Sequence, residues 1–394
     1  MRFSDIPGNG EVKERLVRAA GEGRVAHAYL FHGEEGSAAL PLAMAFAQYL
    51  LCADPHDGDA CGQCMACQKA ESMVHPDIHF SFPGGAVKGL KAKDVRSALF
   101  LDQWREIVKK NPYFGLSMWY THLGMENKQG MIYTAESSEI INKMNLTPYE
   151  ADRKILILWL PEKLHPSAAN PLLKLIEEPP EDTFFLLVSI DPAQVLPTIL
   201  SRCQRVQVPR TDDESLRSWL GRQYDLGGET LEKMVMMADG NLLRATLMAE
   251  EMAGEGVPEK EGRKQKEAEP EVSYFDLFRR WMRLSFAFDV EGLAKWVDEI
   301  SDLGREKQKL FLRYVLHVLR ENLMMNLYGA EVQHVRLTEE ELVFSKKFYA
   351  FIHPDNLNDI SRLLEEAWDH IAGNVYGKLV FMDVSLKLHR LLKK

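Results

Sequence analysis

Gly33-Glu34-Glu35-Gly36-Ser37-Ala38-Ala39-Leu40 lies between an apolar run, Ala28-Tyr29-Leu30-Phe31, and a helix-like stretch from Leu42 to Leu51. Strand, glycine-bearing loop and helix in that order make the place for a phosphate-cradling loop. A working loop reads G-x-x-x-x-G-K-[ST], with the lysine on the β- and γ-phosphates and the hydroxyl on Mg²⁺. Counted from Gly33, those last three positions hold Ala38, Ala39 and Leu40. Gly33 and Gly36 remain, so the loop is degenerate: the scaffold is expected without its chemistry.

The second metal-binding element is missing as well. A second apolar strand, Ile155-Leu156-Ile157-Leu158-Trp159-Leu160, should end in an acid that helps hold Mg²⁺. Instead it runs into Pro161, and the first acid is Glu162, a residue expected to cap the strand end or face solvent. An apolar Trp159-Leu160 pair cannot coordinate a hard cation. Two independent losses in one chain argue against ATP hydrolysis in cis.

The remaining pattern is α/β and then all-α. Phe184-Phe185-Leu186-Leu187-Val188 is another short continuous apolar run, as strands of a parallel sheet buried on both faces require. A helix from Ser167 to Glu178 is closed by Pro179-Pro180. A small helical region is expected over 210–250 and a charged, apolar-poor linker over 251–271. Beyond it, Phe311, Tyr314, Val315, Val318 and Leu319 follow helical spacing, as do Ile360, Leu363, Leu364, Ala367 and Trp368. Residues 272–394 therefore read as an all-helical domain, after an α/β core over 1–209.

Composition narrows the class. The 394 residues are 46% hydrophobic and 27% charged, with net charge −10, so no global basic field draws the chain to nucleic acid. No apolar run reaches the ~18 residues that span a bilayer, and the first residues have no apolar signal core, so the cytoplasm is the expected compartment. Residues 84–130 interleave Lys88, Lys91, Lys93, Lys109 and Lys110 with Phe100, Trp104, Tyr113, Phe114, Trp119 and Tyr120. Such a segment serves either as a single-strand platform or as an inserted helix and loop whose aromatics pack on the sheet, and packing is the first use of large apolar groups.

Four of the five cysteines, Cys52, Cys61, Cys64 and Cys67, form C-x8-C-x2-C-x2-C. Two-residue spacings turn adjacent thiolates onto one ion, and four sulfurs close a tetrahedral zinc site with no open position for water. One structural zinc per chain is expected from the module at about 52–67. His56, His75 and His79 lie near enough in sequence to replace a ligand but read as ordinary loop histidines. Cys203 reads as a small packed residue.

Four stretches carry a family resemblance: His27-Ala28-Tyr29-Leu30-Phe31-His32-Gly33; the four-cysteine insertion; Ala168-Ala169-Asn170-Pro171-Leu172-Leu173-Lys174-Leu175-Ile176-Glu177-Glu178-Pro179-Pro180; and Ile199-Leu200-Ser201-Arg202-Cys203. In order and spacing they resemble the AAA+ subunits of the bacterial DNA polymerase III clamp loader. The lost loop and strand-end acid resemble its non-hydrolysing rather than its ATP-hydrolysing gamma/tau type. The resemblance implies an AAA+ P-loop-like parallel sheet, a small helical lid and a C-terminal helical collar that oligomerises. It implies a hetero-pentamer with gamma/tau and delta subunits that loads a sliding clamp on primer-template DNA, with no membrane partner. It also implies that Arg202, flanked by Ser201, serves a neighbour's ATP in trans as an arginine finger; taken alone, such an arginine is a surface ion-pair former. The alternatives are a gamma/tau-like ATPase, which needs a lysine where Ala39 stands, and an unrelated zinc-bearing scaffold. Two departures stand out. Leu243 occupies the place of the family's sensor-2 arginine, with Arg244 one position late, and the 84–130 segment is longer than the family pattern.

Overall fold

A computed structural model describes residues 1–394 except 86–93, 126–129, 253–272, 330–334 and 374. The chain divides into two compact units, Met1–Gly256 and Val257–Lys394. The expected linker over 251–271 lies almost wholly outside the described residues, as do Lys88, Lys91 and Lys93.

The first unit is built on a five-stranded parallel sheet of β1 (Ala28–His32), β2 (Ile78–Ser81), β3 (Lys154–Trp159), β4 (Thr183–Ser189) and β5 (Gln204–Gln207), ordered β2-β3-β4-β1-β5. All four pairings are parallel, with Leu30 opposite Leu187 and Arg205, and Ile157 opposite Leu186 and Phe80. The central strands are the continuous apolar runs, buried on both faces as parallel strands must be. One face carries α2 (Ala39–Leu51), in which every residue but Tyr49 is buried. The other carries α6 (Thr134–Met144) and α7 (Pro166–Glu177), whose Ile140, Met144, Ala168, Leu172 and Ile176 pack on Leu156, Leu158, Phe185 and Leu187. Helices α9 (Asp213–Tyr224), α10 (Gly228–Ala238) and α11 (Leu242–Met252) close this unit.

The edge strands were not legible beforehand. β5 buries only Val206 and shows water Gln204, Arg205 and Gln207, so it has no apolar run to read. β2 alternates Ile78, His79, Phe80 and Ser81 over four residues, too short to separate from a loop.

Gly84 and Met131 exchange two backbone hydrogen bonds, of 3.2 and 2.8 Å, and bring together the ends of the long 84–130 segment. Its aromatics go inward. Trp104 and Trp119 are fully buried; Trp104 stacks on Phe82 with centroids 4.2 Å apart, and Trp119 Nε1 donates to the Pro83 carbonyl at 2.7 Å. Phe100, Tyr113, Phe114 and Tyr120 are buried too, so packing and not base stacking occupies all six rings.

The regular elements of the second unit, among its described residues, are all helical: α12 (Tyr274–Ala287), α13 (Val290–Asp302), α14 (Arg305–Tyr328), α15 (Glu339–Phe348), α16 (Pro354–Ala372) and α17 (Gly377–Leu391). Its centre is a parallel stack of Trp281 on Trp296, centroids 4.8 Å apart, against Phe311 and Phe381. Both indole N–H groups are met, by Ser385 Oγ at 2.7 Å and the Leu277 carbonyl at 3.1 Å.

One buried carboxylate sets the entry to β3. Asp77 accepts the N–H groups of Tyr149, Glu150 and Ala151 at 2.6, 2.8 and 2.9 Å. Burial works to raise its pKa, but the three donors outweigh burial and hold the carboxyl below its ordinary range. A folded-state pKa below the unfolded value contributes stability that is present above the unfolded pKa and lost as pH falls through the folded one. Asp77→Asn is therefore expected to cost about 2 kcal/mol at pH 7. The gap to wild type should narrow below about pH 4, read by urea unfolding across a pH series.

Candidate functional site

β1 delivers the chain into the loop of residues 33–38, and α2 leaves it with Ala38 at the N-cap and no side chain capping its first turn. Two glycines fit where a side chain would not. A Cβ on Gly33 would lie 2.8 Å from the Val208 carbonyl, and Gly36 has φ +84° with Leu243 Cβ 2.7 Å from where its own Cβ would be. The loop geometry is retained, but other residues of the chain hold it. The Gly36 carbonyl accepts the N–H groups of Leu242 and Leu243 at 3.0 and 3.3 Å. Asn241 Nδ2 donates to the Glu35 carbonyl at 2.8 Å, and Arg210 grips the Glu34 carboxylate through Nε and a terminal nitrogen, both at 2.8 Å, while also pairing with Asp239. Arg244 turns away, and its guanidinium donates to the Met237 carbonyl at 3.1 Å.

The space at the loop mouth is filled. Glu34, Glu35, Ser37, Leu40, Trp159, Leu160 and the turn from Pro112 to Leu116 leave about 20 Å³, room for about one water. Phe114 lies on Trp159 with centroids 5.1 Å apart, and Tyr113 meets Trp219 of α9 edge-on at 5.8 Å. Glu35 Oε1 accepts the Leu116 N–H at 2.9 Å, so a carboxylate of the loop itself ties down the turn that plugs it. Ala38, Ala39 and Leu40 are buried. Glu162 does not line this space; its Oε1 accepts the Ile190 N–H at 3.0 Å at the end of β4, and burial raises its pKa. Sequence reading missed the plug because its contacts join residues 81 apart, Glu35 and Leu116. The acidic pair Glu34-Glu35, in a loop that should attract phosphate, was the available signal.

Arg202 follows the short helix α8 (Pro197–Leu200) and stays near the surface, its side chain 35% exposed. One terminal nitrogen pairs with Glu177 Oε1 at 2.5 Å, and the other donates to the Thr198 carbonyl at 2.8 Å and Ser201 Oγ at 3.1 Å. Cys203 packs beside the apolar layer of α7 and β4, and burial pushes its thiol up to about 11.

The four cysteines converge. Cys52 ends α2, Cys64 caps α3 (Met65–Glu71), and the Sγ atoms of Cys52, Cys61, Cys64 and Cys67 all lie within 4.8 Å of one another. Zinc–sulfur bonds of about 2.3 Å in a tetrahedron separate sulfurs by about 3.8 Å, and Cys61 Sγ lies 3.8 Å from Cys67 Sγ. The donor set fits one metal ion. Backbone N–H groups of Cys64 and Gln63 lower the Cys61 thiol to about 6, while burial raises those of Cys52 and Cys67. His56, His75 and His79 stay out of the cluster: His56 Nδ1 meets the Asp54 carbonyl, His75 Nδ1 accepts the Asp77 N–H, and burial lowers His79 to about 4. Asp59 ties the module to the chain start by accepting the N–H groups of Phe3 and Ser4 at 2.9 and 2.8 Å. Among the described residues, no helix is long and apolar enough to cross a membrane.

Phe114→Ala should cost about 3–4 kcal/mol, since the ring is buried against Trp159 and Trp104. Phe114→Leu should cost much less, and urea denaturation of the two variants reads the difference.

Residues 8–212 match the family described as DNA polymerase III, delta subunit. The DNA polymerase III subunit delta' of Pseudomonas aeruginosa is 32% identical over 61% of this chain and 59% of its own length, and that of Escherichia coli 26% identical over 58% and 56%. The DNA polymerase III subunit tau of Bacillus subtilis is 24% identical over 61% of this chain and 36% of its own. The matched part thus spans less than two thirds of the length of each of these relatives.

Proposed function

The chain belongs to the DNA polymerase III delta subunit family, and from that premise we propose that it is a delta-prime-type clamp loader subunit: an AAA+ member that does not hydrolyse ATP and supplies Arg202 to the ATP of a neighbour. The observation that carries this reading is the filled loop mouth, about 20 Å³ walled by Trp159 and the 112–116 turn, in a chain whose Arg202 stays near the surface. A triphosphate needs a cavity many times larger and a cation to meet it. Here Ala39 stands in the lysine position, and Glu34 and Glu35 present like charge. The gamma/tau-type alternative requires an emptied pocket and a lysine.

In this reading gamma/tau-type partners bind ATP, and the guanidinium of Arg202 meets charge that develops on the transferring phosphoryl group. Its planar, permanently charged fork suits phosphate oxygens. Ser201 holds one terminal nitrogen of that fork at 3.1 Å. The helices over 210–250 act as a lid fixed to the loop by Arg210 and Asn241, and the helical region over 272–394 acts as the collar that oligomerises in a hetero-pentamer with gamma/tau and delta subunits. That ring, in the cytoplasm, loads a sliding clamp on primer-template DNA. The cysteine module holds one structural zinc.

The deciding experiment compares rings reconstituted with wild-type chain or with Arg202→Ala, matched for assembly. Arginine fingers are worth on the order of 10³–10⁵ at their own site. Because other interfaces of the ring keep their own arginines, the substitution should lower clamp- and DNA-stimulated ATPase partially. Arg202→Lys should rescue poorly, since a point charge cannot replace the fork. Full activity of the Arg202→Ala ring would leave the chain a scaffold.

Purification without chelator should yield about one zinc per chain by elemental analysis. Cys64→Ser should release it and lower the melting temperature of the first unit. Protein that holds no metal and melts unchanged after chelation would refute the zinc assignment.

A further inference from the structure

Arg202 is engaged on its own chain at both terminal nitrogens. One pairs with Glu177 Oε1 at 2.5 Å, and the other is shared between the Thr198 carbonyl and Ser201 Oγ. Glu177 is the last residue of α7, and Arg202 follows α8, so two packed helix ends bring the pair together. Both side chains are partly exposed, 35% for Arg202 and 41% for Glu177. From this geometry we propose that Glu177 is an internal competitor for Arg202: its carboxylate occupies the nitrogen that a neighbouring subunit's phosphate must take. The proposal rests on Arg202 acting in trans.

The chemistry favours exchange. A guanidinium takes a phosphate best through two parallel N–H donors, and a carboxylate uses the same donors in the same geometry. Glu177 therefore stands in for the phosphate while the interface is open. An exposed ion pair is weak, worth a factor of about two to five in an equilibrium, so a close phosphate of higher charge displaces it readily. The Thr198 carbonyl and Ser201 hydroxyl hold the other nitrogen, so the arginine need not be released as a whole. The loss of one partner frees one end of the fork while the other end keeps it aimed. This makes Glu177 a competitor that acts in the open-interface state, and its removal should raise activity, a sign that a merely structural role would not give.

The test uses rings assembled from the full chain with gamma/tau- and delta-type subunits, in four versions: wild type, Glu177→Gln, Arg202→Ala and the double variant. Glutamine keeps the shape and one acceptor oxygen but removes the charge. In the Glu177→Gln ring, ATPase without clamp or DNA should rise, by about two- to five-fold at the site Arg202 serves and by less in the ring total. The rise should shrink as salt increases, because screening weakens the exposed pair in wild type. On the Arg202→Ala background Glu177→Gln should change nothing. A fall in ATPase with Glu177→Gln would mean that the carboxylate orients Arg202, and no change would mean that it does not compete; either overturns the proposal. An equal rise in both backgrounds overturns it too, since the effect would not pass through Arg202. If Arg202→Ala alone leaves the ring at full activity, the in-trans reading itself fails, a result distinct from the other three.

Discussion

The space above the loop of residues 33–38 is filled from within the chain, and this steric constraint conditions what the α/β unit can do. Phe114 on Trp159 and Tyr113 on Trp219 make the turn from Pro112 to Leu116 a joint between the sheet and the helices after it. Glu35 fastens that turn through the Leu116 N–H, and Asn241 fastens the other side of the loop through the Glu35 carbonyl. Together these contacts close the loop mouth to about 20 Å³. A ligand that comes and goes makes such a joint conditional, whereas buried aromatic rings make it permanent. Loss of the lysine is thus accompanied by a rebuilt packing arrangement, and a single substitution at Ala39 would not recover the site.

Charge reinforces the same result. Arg210 pairs with the loop directly, held by Glu34 on one side and Asp239 on the other. Two carboxylates around one guanidinium leave local net negative charge, which repels phosphate. Among the described residues, Arg202 differs in having a single carboxylate partner, with a carbonyl and a hydroxyl as its remaining acceptors. Of these two arginines, it is the one whose partner a phosphate can displace without stranding a second acid. The contrast fits the proposed function, in which the chain lacks a site of its own and contributes a charge to another.

What could be read from residue order follows interaction range. Ala28–Phe31, Ile155–Leu160 and Phe184–Val188 announce buried strands because burial on both faces demands an unbroken apolar run. Loss of the loop lysine and strand-end acid is a matter of single positions, and C-x8-C-x2-C-x2-C is local enough for spacing to carry the chemistry. β5 escaped notice because the parallel pairing with β1, and not its own side chains, makes it a strand. The plug and the Glu177 partner of Arg202 join residues 81 and 25 positions apart, at distances where no periodicity points from one to the other. The aromatics of 84–130 were legible as a group but not in destination, since the same rings suit a nucleic-acid platform or a core. Their burial decides between these uses.

Helix α2 links the two features that define the chain. It begins at the loop and ends at Cys52, and its N-terminus has no side-chain support: Ala38 offers no cap, and the first turn has no acid. Its sequence carries no charge and one polar side chain apart from Tyr49, Gln48, whose Oε1 accepts from the Met1 amino group at 2.9 Å. Such a helix is held chiefly by burial between the sheet and its neighbours, since no side chain caps its first turn. The four-cysteine cluster stands at its C-terminal end, where that burial stops. Cys52 fixes the last turn to the module, and Asp59 in the same module fixes the chain start, so both ends of the first fifty residues close on one small knot. Helix α2 thus places the degenerate loop and the four-cysteine cluster at opposite ends of one buried element.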